Sequence, residues 1–289
     1  MVKGGRYAMK KELLAVHDRF ISLMQGQPGI LGAWYFGSAS RDQTDDHSDL
    51  DVVFLANGAQ FADIASQLTH WMASCCDSVI LCWPEEFNGD SIVNNGYLLK
   101  LDGQTVVYDV FLLNSERLRD GICQMHYAGL QEKSIIFDPC GTVRALAADA
   151  PSGHLWHADV LRLIDTYWYH AHLSAKYLIR RDFFKLEAVL RTMMDAHASL
   201  LLTAHDTIPW GGSANKLRLL PEAYQRHLMQ YGCLDDFTLM RERILQSMRW
   251  FVSDAAAIAS CDAAAHAGNV SSVVLSCWIA ATEALSSQK

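Results

Sequence analysis

The run LGAWYFGSASRDQTDDHSDLDVVF, residues 31–54, decides how this chain reads. Residues 30–36 have the composition of a short buried strand, and Gly37 ends it. A polar loop follows from Ser38 to Ser48. A second strand is predicted over residues 49–56, DLDVVFLA, with Val52, Val53, Phe54 and Leu55 as its apolar body. Asp49 and Asp51 are two residues apart at its start. Side chains at i and i+2 of a strand share a face, so two carboxylates are presented together. Unpaired, they repel. A divalent cation removes that penalty, and Mg²⁺ in particular is held between one or two carboxylates and substrate phosphates. Glycine lets a ligand approach the backbone closely. Free N–H groups at Gly37 and the Ser38 hydroxyl suit a triphosphate, and Arg41 suits a phosphate oxygen.

Residues 9–25 on the N-terminal side carry Leu13, Leu14, Val16, Phe20, Ile21 and Met24 at helical spacing, which predicts an amphipathic helix. On the other side a helix is expected over 60–73 and a strand over 77–83. The Asp102-Gly103 pair between two apolar runs, 97–101 and 104–112, is a hairpin signal. Asp109 falls in the middle of the second arm, flanked by Val106, Val107, Val110 and Phe111. A charge in such a run needs a partner. It is either a third carboxylate beside Asp49 and Asp51 or a strand residue facing solvent. Beyond Pro151-Ser152-Gly153 the pattern becomes helical: 155–180, then 183–204 behind a capping Asp182, a turn at Pro209-Trp210-Gly211-Gly212, then 221–231, 236–260 and 268–286. The fold class is therefore α+β. A mixed β-sheet domain with flanking helices, residues 1–150, precedes an all-α helical-bundle domain, residues 151–289.

Apolar residues make up 51% of the 289, enough for a sizeable core in each part. No stretch reads as a membrane span of about 20 apolar residues, and residues 1–11 lack a signal-peptide core. A soluble, cytoplasmic protein is expected. The eight cysteines form no Cys-x-x-Cys pair and read as free thiols. Of the net charge of −8, none comes from residues 151–289, which hold 13 basic and 13 acidic residues. An acidic first domain disfavours a nucleic-acid partner, which needs a basic surface. It suits metal ions and a cationic small substrate, and solubility alone also accounts for it.

Gly37-Ser38, a spacer of about ten residues, Asp49-Leu50-Asp51 on a strand and a later strand Asp109 resemble the signature of the DNA polymerase β-like nucleotidyltransferase superfamily. Arg41 and Ser48-Asp49-Leu50-Asp51 match the form common in its small enzymes. Asp42 departs from it, because the family usually has glycine there. The layout is most similar to the antibiotic nucleotidyltransferases, lincosamide and aminoglycoside adenylyltransferases among them. The resemblance implies a nucleotidyltransferase catalytic domain followed by an acceptor-binding helical domain. It implies two Mg²⁺ ions, both held by Asp49 and Asp51 and one by Asp109. It further implies transfer of a nucleoside monophosphate, AMP from ATP, to a hydroxyl of a small molecule such as an antibiotic, with no membrane partner and a homodimer as an option. Gly37, Ser38 and Arg41 would hold the nucleotide. Lys176 and Lys185 are candidates for further triphosphate contacts, and Glu187 for a general base. These three rest on position in the helical half, and each is otherwise a solvated helix-face residue.

Two other functions fit the same residues: a protein AMP-transferase of antitoxin type and a catalytically silent nucleotide-binding sensor. Trp156, Tyr167, Trp168 and Tyr169 are expected either in the helical core or around an acceptor. Arg191 and His197 resemble the Arg-x4–6-His pair of a helical ribonuclease family, a spacing that also arises by chance.

Overall fold

The computed structural model describes residues 9–150, 159–205 and 213–286. It divides into two compact units, Met1–Leu155 and Trp156–Lys289. The first contains a mixed six-stranded sheet with helices and the second is helical, an α+β chain in the sense expected.

In the first unit, helix α1 (Lys11–Gln25) precedes β1 (Ile30–Tyr35) and β2 (Leu50–Ala56). Helix α2 (Phe61–Ala73) leads to β3 (Ser78–Pro84), β4 (Ile92–Leu101) and β5 (Gln104–Asn114). Short elements follow: α3 (Gly121–Tyr127), β6 (Ile135–Phe137) and α4 (Thr142–Ala148). Strand order is β3-β4-β5-β2-β1-β6. Only β2 and β5 run parallel, the other pairs being antiparallel. The Asp102-Gly103 hairpin forms as predicted, both residues taking the positive φ (51° and 77°) that a tight two-residue turn demands.

Alternation sorts the strand residues onto two faces. Val52, Phe54, Tyr108, Val110 and Leu112 turn to the rear. There they meet Leu13, Val16, Phe20 and Met24 of α1, and Phe61, Ile64, Leu68 and Met72 of α2. Val53, Leu55, Phe111 and Leu113 turn to the front, where Cys123 and Tyr127 of α3 and Val143 of α4 cover them. At about 25 cal/mol per Å² of apolar surface buried, these two layers supply the main drive for folding. Polar groups in the rear layer are paired, the His17 imidazole among them. His17 of α1 places Nδ1 2.8 Å from the Tyr108 hydroxyl and Nε2 2.9 Å from the Tyr35 hydroxyl, so both ring nitrogens are satisfied.

The second unit comprises α5 (Val160–Ile179), α6 (Phe183–His205), α7 (Ser213–Lys216), α8 (Glu222–Leu228), α9 (Phe237–Ile258) and α10 (Cys261–Ser286). Asp159 and Asp236 cap α5 and α9 by accepting from the Arg162 and Leu239 amides. Asp182 accepts from Lys185 N–H at the start of α6. Tyr167 and Trp168 are core residues, Tyr167 stacking on Phe251 with centroids 3.6 Å apart, whereas Tyr169 is exposed. Trp156 and the Pro209–Gly212 turn lie outside the described residues.

Helix α10 corrects one expectation. By length and composition it is apolar enough over Cys261–Glu283 to cross a membrane, with 22% of its most apolar window buried. The sequence pattern suggested a start at 268. The helix instead begins at Cys261 and draws Ala263, Ala264, Ala265 and Ala267 into one apolar run.

His197 is wholly buried in this unit. Its Nδ1 lies 2.9 Å from the Tyr231 hydroxyl and its Nε2 2.9 Å from Asp254 Oδ2, while Tyr231 donates to Tyr167. This gives the His197 of the Arg191/His197 pair a structural role in the core. Replacing Asp254 with alanine strips a buried ring of a charged acceptor. A stability loss of about 1.5–3 kcal/mol is expected, read as a lower urea midpoint at unchanged slope. An unaltered midpoint would show that the network contributes nothing.

Candidate active site

Three of the predicted site residues meet on the front face of the sheet. Asp51 on β2 and Asp109 on β5 are register partners on adjacent parallel strands, so their side chains leave the same face side by side. Asp49 lies just before β2 and is exposed. On the same face, the apolar Val53, Leu55, Phe111 and Leu113 pack against α3 and α4.

The charges feel one another. Burial pushes the Asp51 carboxyl up to about 8, with the negative charges of Asp49 and Asp109 raising it further and Arg41 opposing them. Asp109 is pushed up to about 6 by burial first, then by Asp49 and Glu85. Among the described residues no group of three or more His, Cys, Asp or Glu side chains forms a ready-made metal site. The three aspartates make a looser, mutually repelling set.

The turn after β1 closes over this set. Phe36 N–H donates to the Asp51 carbonyl at 3.0 Å, which ties the turn to the start of β2. Gly37 has φ 58°, and a Cβ there would overlap Asp51 Oδ2. Glycine is thus required twice, by backbone sign and by space. Ser38 Oγ is buried without a hydrogen-bond partner. A buried hydroxyl is ordinarily satisfied, so this one is free to meet an incoming oxygen. Asp42 occupies the position where the resembled family has glycine, and its φ is 58°. Aspartate is among the few residues that tolerate this region, and Lys133 pairs with it at 3.2 Å. The loop keeps the left-handed residue that glycine would supply. Asp45 accepts from the His47 amide and from Ser48 Oγ, and the loop thereby braces itself.

One glycine escaped the sequence reading. Gly96 on β4 is the register partner of Asp109, and a Cβ there would lie 2.8 Å from Asp109 Oδ1. The signal was present: a glycine inside a strand marks close approach of another group. Glu187, Lys185 and Lys176 belong to the helical unit, where each has a local partner. Glu187 accepts from the Cys233 amide at 3.0 Å, Lys185 pairs with Asp182 at 3.4 Å, and Lys176 lies 5.4 Å from the Tyr177 ring centroid.

Three carboxylates, one of them opposed by Arg41, stand beside a hydroxyl and a close-approach glycine, and oxygen donors are the kind a hard divalent cation takes. No protein-family model matches the chain, and no curated protein sequence does.

The raised carboxyls make a pH prediction. Their folded pKa values exceed the unfolded 3.8, so the native state holds more protons and loses stability as pH rises from about 4 toward 8. Asp51→Asn removes most of this. In thermal melts with chelator the variant is expected to exceed the wild type by at least about 2 °C at pH 8, the gap closing toward pH 4. Mg²⁺ should raise the wild-type midpoint and leave the variant unmoved. A variant that melts lower at pH 8 would contradict the electrostatic account.

Proposed function

We propose that the chain is a divalent-metal-dependent nucleotidyltransferase that moves a nucleoside monophosphate, AMP from ATP, onto a hydroxyl of a small molecule. One observation carries this: Asp51 and Asp109 are partners on parallel strands, with Asp49 beside them and the Gly37-Ser38 turn against Asp51. Such a group of carboxylates is costly unless a cation and a polyanion use it.

Asp49, Asp51 and Asp109 would hold two Mg²⁺ ions. When bound, these neutralise phosphate charge and lower the pKa of the attacking hydroxyl. The Gly37 and Ser38 amides with Ser38 Oγ would hold the outer phosphates, and the Arg41 guanidinium adds positive charge beside them. The acceptor oxygen forms the new bond to the α-phosphorus. The bond from that phosphorus to the bridging oxygen breaks, and pyrophosphate leaves with the electron pair. The hydroxyl proton passes to a carboxylate oxygen of the site or to water.

The purified chain should release pyrophosphate from ATP in Mg²⁺ with a hydroxylated acceptor, whose mass rises by one AMP. Asp51→Asn and Asp109→Asn should each lower turnover more than about 100-fold, about 2.7 kcal/mol of barrier. Full turnover in Asp51→Asn would sink the reading. Ser38→Ala should raise the KM for ATP about tenfold, since a lost contact of 1.4 kcal/mol is tenfold in binding.

A further inference from the structure

The turn that joins α5 to α6 carries a charge that its unit as a whole lacks. Residues 176–185, KYLIRRDFFK, hold four basic residues and one acidic residue, although residues 151–289 together are neutral. Helix α5 ends there in a Schellman closure. Asp182 N–H donates to the Tyr177 carbonyl at 3.0 Å, and Arg181 N–H donates to the Leu178 carbonyl at 3.1 Å. Such a closure needs a left-handed residue, ordinarily glycine, and Arg181 fills the place with φ 53°. An arginine held in this region strains the backbone. A side chain placed there at a cost points to a use for it.

The neighbouring side chains form one surface. Lys176 and Lys185 bracket the Tyr177 ring, their Nζ atoms 5.4 and 5.9 Å from its centroid. Asp182 is taken up by Lys185 at 3.4 Å. Arg180 and Arg181 are exposed, and among the described residues neither makes an ion pair. Beside them Phe184, in the first turn of α6, is 94% exposed. One exposed phenylalanine means little alone. This one stands at the tip of a helical hairpin among four cations, two of them unpaired.

We propose that this tip docks the chain reversibly on a lipid bilayer that carries anionic headgroups. Phe184 enters the interfacial layer, and Lys176, Arg180, Arg181 and Lys185 meet the headgroup phosphates and carboxylates. The resemblance implies no membrane partner, so this function is additional to nucleotidyl transfer and independent of it. Shape selects the bilayer over other polyanions. A single strand or a peptide is gripped in a groove that flanks it, whereas a helix–helix turn is convex and gives Phe184 no second wall. A soft surface with an apolar interior accepts a convex tip, taking the ring inward and leaving the charged ends of long side chains at its rim. The attraction is local. At physiological salt, charges act over about 8 Å, so the cations at the tip count for more than the net charge of the chain.

The test is partition of the full chain onto sedimenting vesicles. Vesicles of phosphatidylcholine mixed with phosphatidylserine should carry the wild type down, vesicles of phosphatidylcholine alone should not, and added salt should release it. Arg180→Gln and Arg181→Gln combined should weaken binding about 25-fold, which is about fivefold or 1 kcal/mol for each charge. Phe184→Ala should weaken it at least about fivefold. Arg181→Gly separates surface from structure. It should weaken binding about fivefold while the melting temperature holds or rises, because glycine relieves the left-handed strain. Absence of binding to the serine-containing vesicles, equal binding to both vesicle types, or unchanged binding in Phe184→Ala or Arg181→Gly would overturn the proposal. So would tighter binding of transfer RNA than of the vesicles, lost in the double glutamine variant, because the tip would then be a nucleic-acid contact.

Discussion

The structure depends on one pairing, the parallel contact of β2 with β5. It sets Asp51 opposite Asp109 at the cost of two like charges held side by side. The cost is met from behind. Val52, Phe54, Tyr108 and Val110, on the same two strands, pack against α1 and α2. The register is pinned because a slip of one residue would send those side chains forward and the carboxylates into the core. The same alternation that builds the rear layer therefore aims the acidic groups outward, and neither can change alone.

Much of this was legible in residues 31–54 and in the hairpin. The strong periodicities at α1, α2 and α6 gave elements close to those observed, and Asp102-Gly103 gave the turn. Asp109 was legible for a physical reason: a lone charge among valines asks for a partner. What it could not reveal was that β5, and not β3, lies beside β2, since strand order is a long-range property. Short elements were missed as well. β6 has three residues, and α3 and α4 seven each, too few to show a period. Gly96 was passed over because its meaning depends on which residue stands across the sheet. In the helical half the lysines and Glu187 carried no motif, and each makes a local contact within that half.

The two units use buried histidines alike. His17 and His197 each place both ring nitrogens on hydroxyl or carboxylate partners inside an apolar layer. Burial moves His197 below its ordinary range while its Asp254 contact opposes that. Such groups add little net energy when satisfied, yet they penalise any packing that leaves a nitrogen bare. They select one arrangement of helices or strands from the several that hydrophobic burial alone would permit.

His17 has a mechanical consequence. Its two partners are Tyr35, one residue before the Phe36-Gly37 turn, and Tyr108, the neighbour of Asp109. A single imidazole thus ties together, from the back of the sheet, the two strand positions next to the Gly37-Ser38 turn and to Asp109 on the front. β1 and β5 are not adjacent; β2 lies between them. Any change in the local twist of these three strands would alter the span between the two phenols and stretch a bond to the ring. The imidazole acts as a gauge block. It fixes the spacing between Tyr35 and Tyr108 from the rear of the sheet.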